Sequence, residues 1–311
     1  MNTYLEPEDD SLPMRKSGPW VVEKLHYLRQ YIDVFTTSMH AKPWRAMHYI
    51  DLFAGPGKCF VRENRTVHLG SPLLSLQTRY PFRRLFFAEL ESANINALKR
   101  RCRSSPRFSR IQFFEGDSNV RVHEIVQRIS DLDGEYIEGR WSSINVAFLD
   151  PEGLELCWET VATLATVSRM DLIIHYPEMG LNRMMSKVLA LDRDTLVDAF
   201  FGDREWRSIY RAQQGRRGIH RKLLDHYKGK LSDLGYAEVI GGDEVGYEPV
   251  VRNVKRRAPL YRVVFASKDP LGHEFWDKVT SRDAHGQLRL LEGRRTYGSS
   301  GQDRIEAQRD E

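Results

Sequence analysis

Cysteine is scarce in this sequence, and its few copies lie far apart. Three cysteines (Cys59, Cys102 and Cys157) occur in 311 residues. None belongs to a CxxC pair, and no histidine stands beside them at a metal-ligand spacing. This pattern argues against a disulfide framework and against a structural zinc site. We therefore predict no bound metal and a reducing compartment, and we interpret Cys157 as a small buried apolar residue rather than a catalytic thiol.

Long apolar runs are also missing. Residues 1–17 contain no apolar stretch of the kind found in a signal peptide, and runs such as Asp171–Tyr176 are far too short to cross a bilayer. We therefore expect a cytoplasmic protein without a membrane association. The net charge is +4, from 47 basic and 43 acidic residues, which permits a nucleic-acid partner but does not require one.

Apolar periodicity is weak at both ends of the chain. Residues 1–17 show none, and the last residues are rich in glycine, serine, glutamine and arginine. Such segments cannot bury enough apolar surface to order themselves. We predict a flexible N-terminus over residues 1–17, one folded domain over residues 18–280 and a poorly ordered tail over residues 281–311.

Between these ends, short apolar runs alternate with helical patterns. After a first amphipathic helix from Trp20, five runs end at Phe53, Ala88, Phe114, Leu149 and Tyr176. Short apolar strands separated by helices predict a parallel sheet with both faces covered. Two last runs predict a C-terminal hairpin, and residues 178–218 a helical insertion. The pattern therefore predicts an α/β, Rossmann-like class I methyltransferase fold, with a mostly parallel seven-stranded sheet.

The turn after the first of these strands carries glycines at a close spacing. The segment runs Asp51-Leu-Phe-Ala-Gly-Pro-Gly57. Glycine lets a backbone approach a ligand and adopt unusual dihedral angles. The segment is not a Walker A sequence, and it lacks the third glycine of a dinucleotide loop. We predict that it holds S-adenosyl-L-methionine through Asp51, Phe53, Gly55 and Gly57; a plain strand-to-helix turn is the alternative.

The next helix is predicted to begin late. Ser71 can cap it, and Pro72 suits its first turn. Residues 58–69 then form an ordered insertion between the glycine turn and this helix, and we expect this insertion to cover the mouth of the cofactor site.

Two acids follow the next strands. Glu89 stands where a carboxylate would accept hydrogen bonds from ribose hydroxyls. A solvated acid at the start of a helix is its alternative, and Glu91 competes for the same role. Asp117 either accepts from the adenine amino group or caps the following helix.

The fourth strand ends in Asp150-Pro151-Glu152-Gly153, where transfer chemistry is expected. Amino methyltransferases place an Asp/Asn-Pro-Pro-aromatic segment here to bind the target amine. Asp150, Pro151 and Glu152 are therefore our candidate catalytic residues, although Glu152 and Gly153 stand where proline and an aromatic residue are usual. The two acids also suit a general base or metal-binding carboxylates, or a turn with a capping acid. His175, Glu178, Asn182 and Arg183 flank the end of the fifth strand and are further candidates.

A basic segment with interleaved aromatic residues occurs later in the chain. Its arginines suit contact with phosphates, and Trp206 and Tyr210 suit stacking on bases. A solvated helical face is the alternative. The predicted nucleic-acid-binding residues are Arg207, Arg211, Arg216 and Arg217.

Four segments in a fixed order give the sequence a family resemblance. They are Tyr49–Gly57, Gly70–Leu74, Phe148–Gly153 and Pro259–Lys268. Over residues 20–278 the chain resembles the three-Cys-motif partner proteins. The resemblance implies a class I methyltransferase-like domain and a partner, a three-cysteine protein of the radical-SAM type that carries the metal cluster.

Two functions remain open at this point. One is methyl transfer from S-adenosyl-L-methionine to DNA or RNA. The alternative is a non-catalytic or cofactor-gated DNA-binding partner of the three-cysteine protein. The glycine loop and Glu89 favour cofactor binding, whereas the missing aromatic residue after Asp150-Pro151 favours the partner role.

Overall fold

A seven-stranded sheet forms the centre of the protein. The computed structural model describes residues 3–134, 139–213, 218–236, 248–253 and 258–281. The strands of this sheet are β2 (Met47–Asp51), β5 (Arg84–Glu89), β6 (Ile111–Glu115), β7 (Ile144–Leu149), β8 (Met170–Tyr176), β9 (Val250–Arg252) and β10 (Pro259–Ala266). Their order across the sheet is β6-β5-β2-β7-β8-β10-β9.

Strand direction within this sheet confirms the predicted fold. Strands β6, β5, β2, β7 and β8 are mutually parallel, and β10 is antiparallel to both of its neighbours, β8 and β9. The fold is therefore a Rossmann-like α/β fold with a mostly parallel sheet and antiparallel C-terminal strands. The predicted turn of the C-terminal hairpin includes residues 254–257, which lie outside the described residues.

Helices cover both faces of the sheet. Consecutive strand residues face opposite ways, so Ile50 and Phe86 join one apolar core while Tyr49 and Phe87 join the other. The helices are α1 (Trp20–Met39), α2 (Ser71–Ser75), α3 (Ser92–Cys102), α4 (Ser118–Asp133), α5 (Trp158–Ala165), α6 (Glu178–Val188), α7 (Leu196–Phe201), α8 (Glu205–Gln213), α9 (Ile219–Asp233) and α10 (Pro270–Thr280). Within the described ranges, none of the helices combines the length and the apolar character needed to cross a membrane.

Helix α1 shows why the apolar stripe of a helix decides its position. Leu25, Leu28, Ile32 and Phe35 recur at helical spacing, and all four are buried in the core on one face of the sheet. Burial of each such side chain stabilises the fold by about 1.5–3 kcal/mol. The same helix presents Lys24 to the carboxyl ends of the strands, where Asp150 lies.

A second, three-stranded sheet follows the glycine-containing loop that ends at Gly57. Its strands are β1 (Arg15–Ser17), β3 (Lys58–Val61) and β4 (Thr66–Leu69), in the order β1-β3-β4. Strands β3 and β4 form an antiparallel hairpin, and β1 pairs with β3 in parallel. The predicted insertion over residues 58–69 is thus this hairpin.

The N-terminal segment is tied to the domain, although the sequence predicts flexibility there. The side chain of Asp10 is buried and forms ion pairs with Lys58, at 2.9 Å, and with Arg101, at 2.6 Å. Burial alone would raise the pKa of Asp10, but the hydrogen bonds from Arg101 and Lys58 lower it to about 2. Lys58 also donates to the carbonyl oxygens of Thr3 and Glu8. Ionic contacts and hydrogen bonds hold the segment around Asp10, and pairing with β3 holds β1, so neither depends on apolar periodicity.

Candidate cofactor-binding site

A cavity of about 590 Å³ opens at the carboxyl ends of the parallel strands. In doubly wound sheets this edge is where ligands bind. The cavity brings together five of the predicted site residues, which are Phe53, Gly55, Glu89, Asp117 and Glu152. Arg15, Lys16 and Arg62 of the small sheet region form part of its lining.

Gly55 has the geometry expected of a residue beneath a ligand. Its φ is +63°, a left-handed conformation that favours glycine. A Cβ built on Gly55 would meet no atom within 4 Å. The space beside this glycine is therefore open, and it belongs to the cavity.

Gly57 has a different role. Its φ is +90°, and a Cβ on it would lie 2.8 Å from the Cδ1 atom of Leu98. Gly57 does not line the large cavity; it lines a neighbouring space of about 20 Å³ with Asp150. The structure therefore places Gly57 at a packing contact on α3 and in the same small space as Asp150.

Glu89 fixes the glycine loop to the end of β5. One carboxylate oxygen accepts from the backbone N–H of Gly55 at 2.8 Å. The other accepts from the backbone N–H of Glu91 at 2.9 Å and from the side-chain amide of Asn94 at 3.3 Å. Each carboxylate oxygen has two lone-pair positions, so Glu89 retains accepting capacity on the cavity side.

Asp117 caps a helix at the wall of the cavity. Its side chain accepts from the backbone N–H of Asn119 at 2.9 Å at the start of α4. Capping was one of the two roles predicted for this residue. Because Asp117 also lines the cavity, the predicted contact with an adenine amino group is compatible with the cap.

Asp51 lies behind the loop and not in the cavity lining. It is fully buried, accepts from the Tyr49 hydroxyl at 3.4 Å and has a hydrogen bond with Ser71. Burial raises the pKa of Asp51 to about 7. The predicted capping by Ser71 is not observed, since α2 has Gly70 at its N-cap position and no side-chain cap. Ser71 therefore supports Asp51 instead.

Asp150 is held in a buried ionic cluster. It pairs with Lys24, with the ring Nδ1 of His175, and at 3.7 Å with Arg15. Burial alone would raise the pKa of Asp150, yet Lys24 and His175 hold it below its usual range. Burial lowers the pKa of His175, whereas the neighbouring Asp150 opposes this shift, and the ring Nδ1 shares a hydrogen bond with the Asp150 carboxylate. Asp150 is thus ionised, and its carboxylate already has Lys24, His175 and Arg15 as partners.

Glu152 differs from Asp150 in its exposure. Its side chain is 71% exposed, and it pairs with Arg15 at 2.7 Å. Pro151, between the two acids, is buried. A single guanidinium of the N-terminal strand therefore lies against both candidate catalytic acids. The sequence around Arg15 does not indicate this pairing, because Asp150 and Glu152 lie more than 130 residues away.

The other candidates near the strand ends are engaged within the fold. The ring of His175 stacks on Tyr261, with 5.1 Å between the ring centroids. Glu178 pairs with Arg262 at 2.6 Å. Cys157 immediately precedes α5 and is half-buried, and burial raises the pKa of its thiol. In the described part of the chain, no three His, Cys, Asp or Glu side chains are grouped so that they could hold a metal ion.

One arginine of the predicted basic surface is used inside the protein. Arg207 is buried, and its Nη2 donates to Asp198 at 2.6 Å while its Nε donates at 2.9 Å. Trp206 is fully buried as well. Arg211 is exposed and donates to the carbonyl oxygen of Leu189 at 3.3 Å. Arg207 is therefore unavailable to a phosphate, because its guanidinium neutralises a buried carboxylate. The predicted residues Arg216 and Arg217 lie outside the described residues.

Comparisons with known proteins give distant structural likenesses. No protein-family model matches the sequence. No curated protein matches it. A solved Legionella pneumophila protein of family DUF519 is 12% identical to this chain, with a TM-score of 0.35. The match covers 55% of this chain and 75% of the Legionella chain. A Methanococcus maripaludis protein described as an S-adenosyl-L-methionine-dependent methyltransferase is 12% identical, with a TM-score of 0.32, over 79% of this chain and 89% of its own. Both scores are low, so the fold rests on the strand order, and the resemblance to three-Cys-motif partner proteins stays a prediction.

Proposed function

We propose that this protein binds S-adenosyl-L-methionine in the 590 Å³ cavity and transfers its methyl group to a nucleic-acid nucleophile. One observation carries the cofactor assignment. Gly55, with its positive φ and open Cβ direction, and Glu89, at the end of the neighbouring strand, line the same cavity and are hydrogen-bonded to each other. A backbone that a ligand can approach and a carboxylate for hydroxyl groups are the two features that such a nucleoside requires.

The charge of the lining supports this ligand class. Five carboxylates and three basic side chains line the cavity. At pH 7 the cofactor carries a sulfonium and an ammonium group against one carboxylate, so it is a net cation. An acidic cavity therefore attracts it. The carboxylates are those of Glu89, Glu91, Asp117, Glu152 and Glu155.

The residues around the transfer site suit positioning rather than proton abstraction. When bound, the cofactor supplies a methyl group on a positively charged sulfur, and the acceptor takes it as the carbon–sulfur bond breaks. Asp150 is ionised but tied to Lys24 and His175, so we assign it an orienting role. Holding the acceptor in line with the methyl group is then the main contribution of the chain to the rate.

A second function is favoured by the same cluster. Because Arg15 and Lys24 already neutralise Asp150, the protein could bind the cofactor without transferring its methyl group. It would then act as the cofactor-gated partner of a three-cysteine radical-SAM-type protein, as the sequence resemblance implies.

Methyl transfer from tritiated cofactor to DNA, to RNA and to buffer alone distinguishes these functions. We expect label in a nucleic acid with the native protein and a loss of at least about tenfold with Glu89→Gln, because a charged hydrogen-bond acceptor is removed. Glu274→Gln, an exposed acid on α10, is the matched control and should transfer normally. Cofactor binding without label transfer would favour the partner function, and absence of binding would reject both.

A further inference from the structure

One wall of the cavity belongs to the small sheet and carries basic side chains. Arg15 and Lys16 come from β1, and Arg62 follows β3 directly. Parallel pairing sets Lys16 opposite Phe60 and Ser17 opposite Val61. The backbone N–H of Arg62 continues the ladder by donating to the carbonyl oxygen of Ser17 at 3.4 Å. The pairing of β1 with β3 therefore brings the basic residues to one wall.

These three cations differ in whether they have a partner. Arg15 forms ion pairs with Asp150 and Glu152. Lys16 and Arg62 are exposed, and neither forms a salt bridge with any residue that the structure describes. Among the described residues, these two positive charges on the cavity lining therefore have no ion-pair partner.

Other lining residues are acidic. Glu89 ends β5, Glu91 precedes α3 and Asp117 precedes α4, and Glu152 and Glu155 follow β7. These carboxylates attract the cationic cofactor. An anion that enters the same cavity is repelled by them and attracted to Lys16 and Arg62. The lining thus combines side chains that attract a cation with side chains that attract an anion.

We infer that Lys16 and Arg62 bind phosphate groups of a nucleic-acid acceptor and hold it against the cofactor. This inference rests on the proposed function and names its acceptor surface. Both side chains line the cavity together with Glu152 and with Arg15, which also pairs with Asp150, so an acceptor held by them shares the cavity with the candidate catalytic acid Glu152. They take the role that the sequence predicted for Arg207, which is buried against Asp198.

The test uses the full chain and a fluorescent single-stranded DNA of about 12 nucleotides, a length that covers one such groove. Binding is followed by fluorescence anisotropy from about 50 to about 200 mM salt. The variant carries both Lys16→Gln and Arg62→Gln and should therefore lose two phosphate contacts. Each contact contributes about 0.7 to the slope of log affinity against log salt on a single strand, so the slope should become shallower by about 1.4.

The matched control removes two exposed cations elsewhere. Arg128 on α4 and Lys278 on α10 are exposed and do not line the cavity. Arg128→Gln with Lys278→Gln changes the net charge by the same amount, so it should leave the salt slope near that of the native protein. Thermal unfolding of both variants verifies that they are folded.

Cofactor titration calorimetry on the same proteins separates this inference from the proposed function. Unchanged cofactor affinity with a shallower salt slope only in the Lys16/Arg62 variant supports the inference. Equal slopes in the two variants, or no DNA binding by the native protein, would overturn it while leaving cofactor binding intact. Weaker cofactor affinity in the Lys16/Arg62 variant would also overturn it, because the two cations would then bind the cofactor carboxylate. Competition by adenosine monophosphate as strong as by the oligonucleotide would identify a small phosphate compound as the acceptor and overturn the nucleic-acid assignment.

Discussion

Replacement of Asp51 by asparagine should make the protein less sensitive to alkaline pH. Asp51 is fully buried beneath the glycine loop, and burial raises the pKa of its carboxyl from 3.8 to about 7. Asparagine has nearly the same shape and cannot ionise. The substitution therefore removes the cost of a buried charge and keeps the packing.

The direction of the effect follows from proton linkage. Between pH 3.8 and about 7 the unfolded chain has lost the Asp51 proton while the folded chain retains it. The unfolded state is therefore favoured increasingly as the pH rises through this window, and the full cost is present above it. A shift of about three pKa units corresponds to about 4 kcal/mol, of which about 2.5 kcal/mol falls between pH 5 and pH 8.

Urea unfolding of the native protein and of Asp51→Asn at several pH values measures this effect. The free energy of unfolding of Asp51→Asn, relative to the native protein, should rise by about 2.5 kcal/mol from pH 5 to pH 8. Asp171 also has a raised pKa, about 6, but it is present in both proteins and cancels. Asp131→Asn, an exposed carboxylate on α4, is the control. Parallel pH curves for Asp51→Asn and the native protein would refute the reasoning.

Three further substitutions separate packing from binding. Gly55→Ala should cost about 1–2 kcal/mol through its positive φ, and should lose the thermal shift that the cofactor gives, because the new methyl group enters the cavity. Gly57→Ala should lower the melting temperature even without cofactor, since its Cβ meets Leu98; normal stability would contradict this. Arg207→Met should lower the free energy of unfolding by about 2 kcal/mol, because Asp198 loses its buried partner. The affinity of Arg207→Met for an oligonucleotide should equal that of the native protein. Weaker oligonucleotide binding by a variant of unchanged stability would show that Arg207 contacts phosphate.

Local patterns were sufficient to predict the main sheet. The strand ends near Glu89 and Leu149 follow from apolar runs that stop at an acid, whereas the first run continues to Phe53, two residues beyond the observed end of β2 at Asp51; parallel pairing brings these ends to one edge. The cavity at that edge includes Glu89 and Asp117, as their positions after successive strands suggest.

Contacts between distant segments were not predictable in the same way. Strand β1 pairs with residues more than 40 positions away, and Asp10 pairs with Arg101, so no periodicity reveals them. For the basic segment near Arg207, the sequence shows the charge but not whether that charge is exposed. Composition shows its charge, but only the fold shows that Asp198 lies against the guanidinium.

Calorimetric titration with S-adenosyl-L-methionine tests the central claim most directly. We expect the native protein to bind one cofactor per chain. Glu89→Gln should bind it about tenfold more weakly or worse, because hydrogen bonds to a charged acceptor contribute about 1.5–3 kcal/mol each. Absence of binding by the native protein, or equal affinity of the native protein and Glu89→Gln, would contradict the assignment of this cavity to the cofactor.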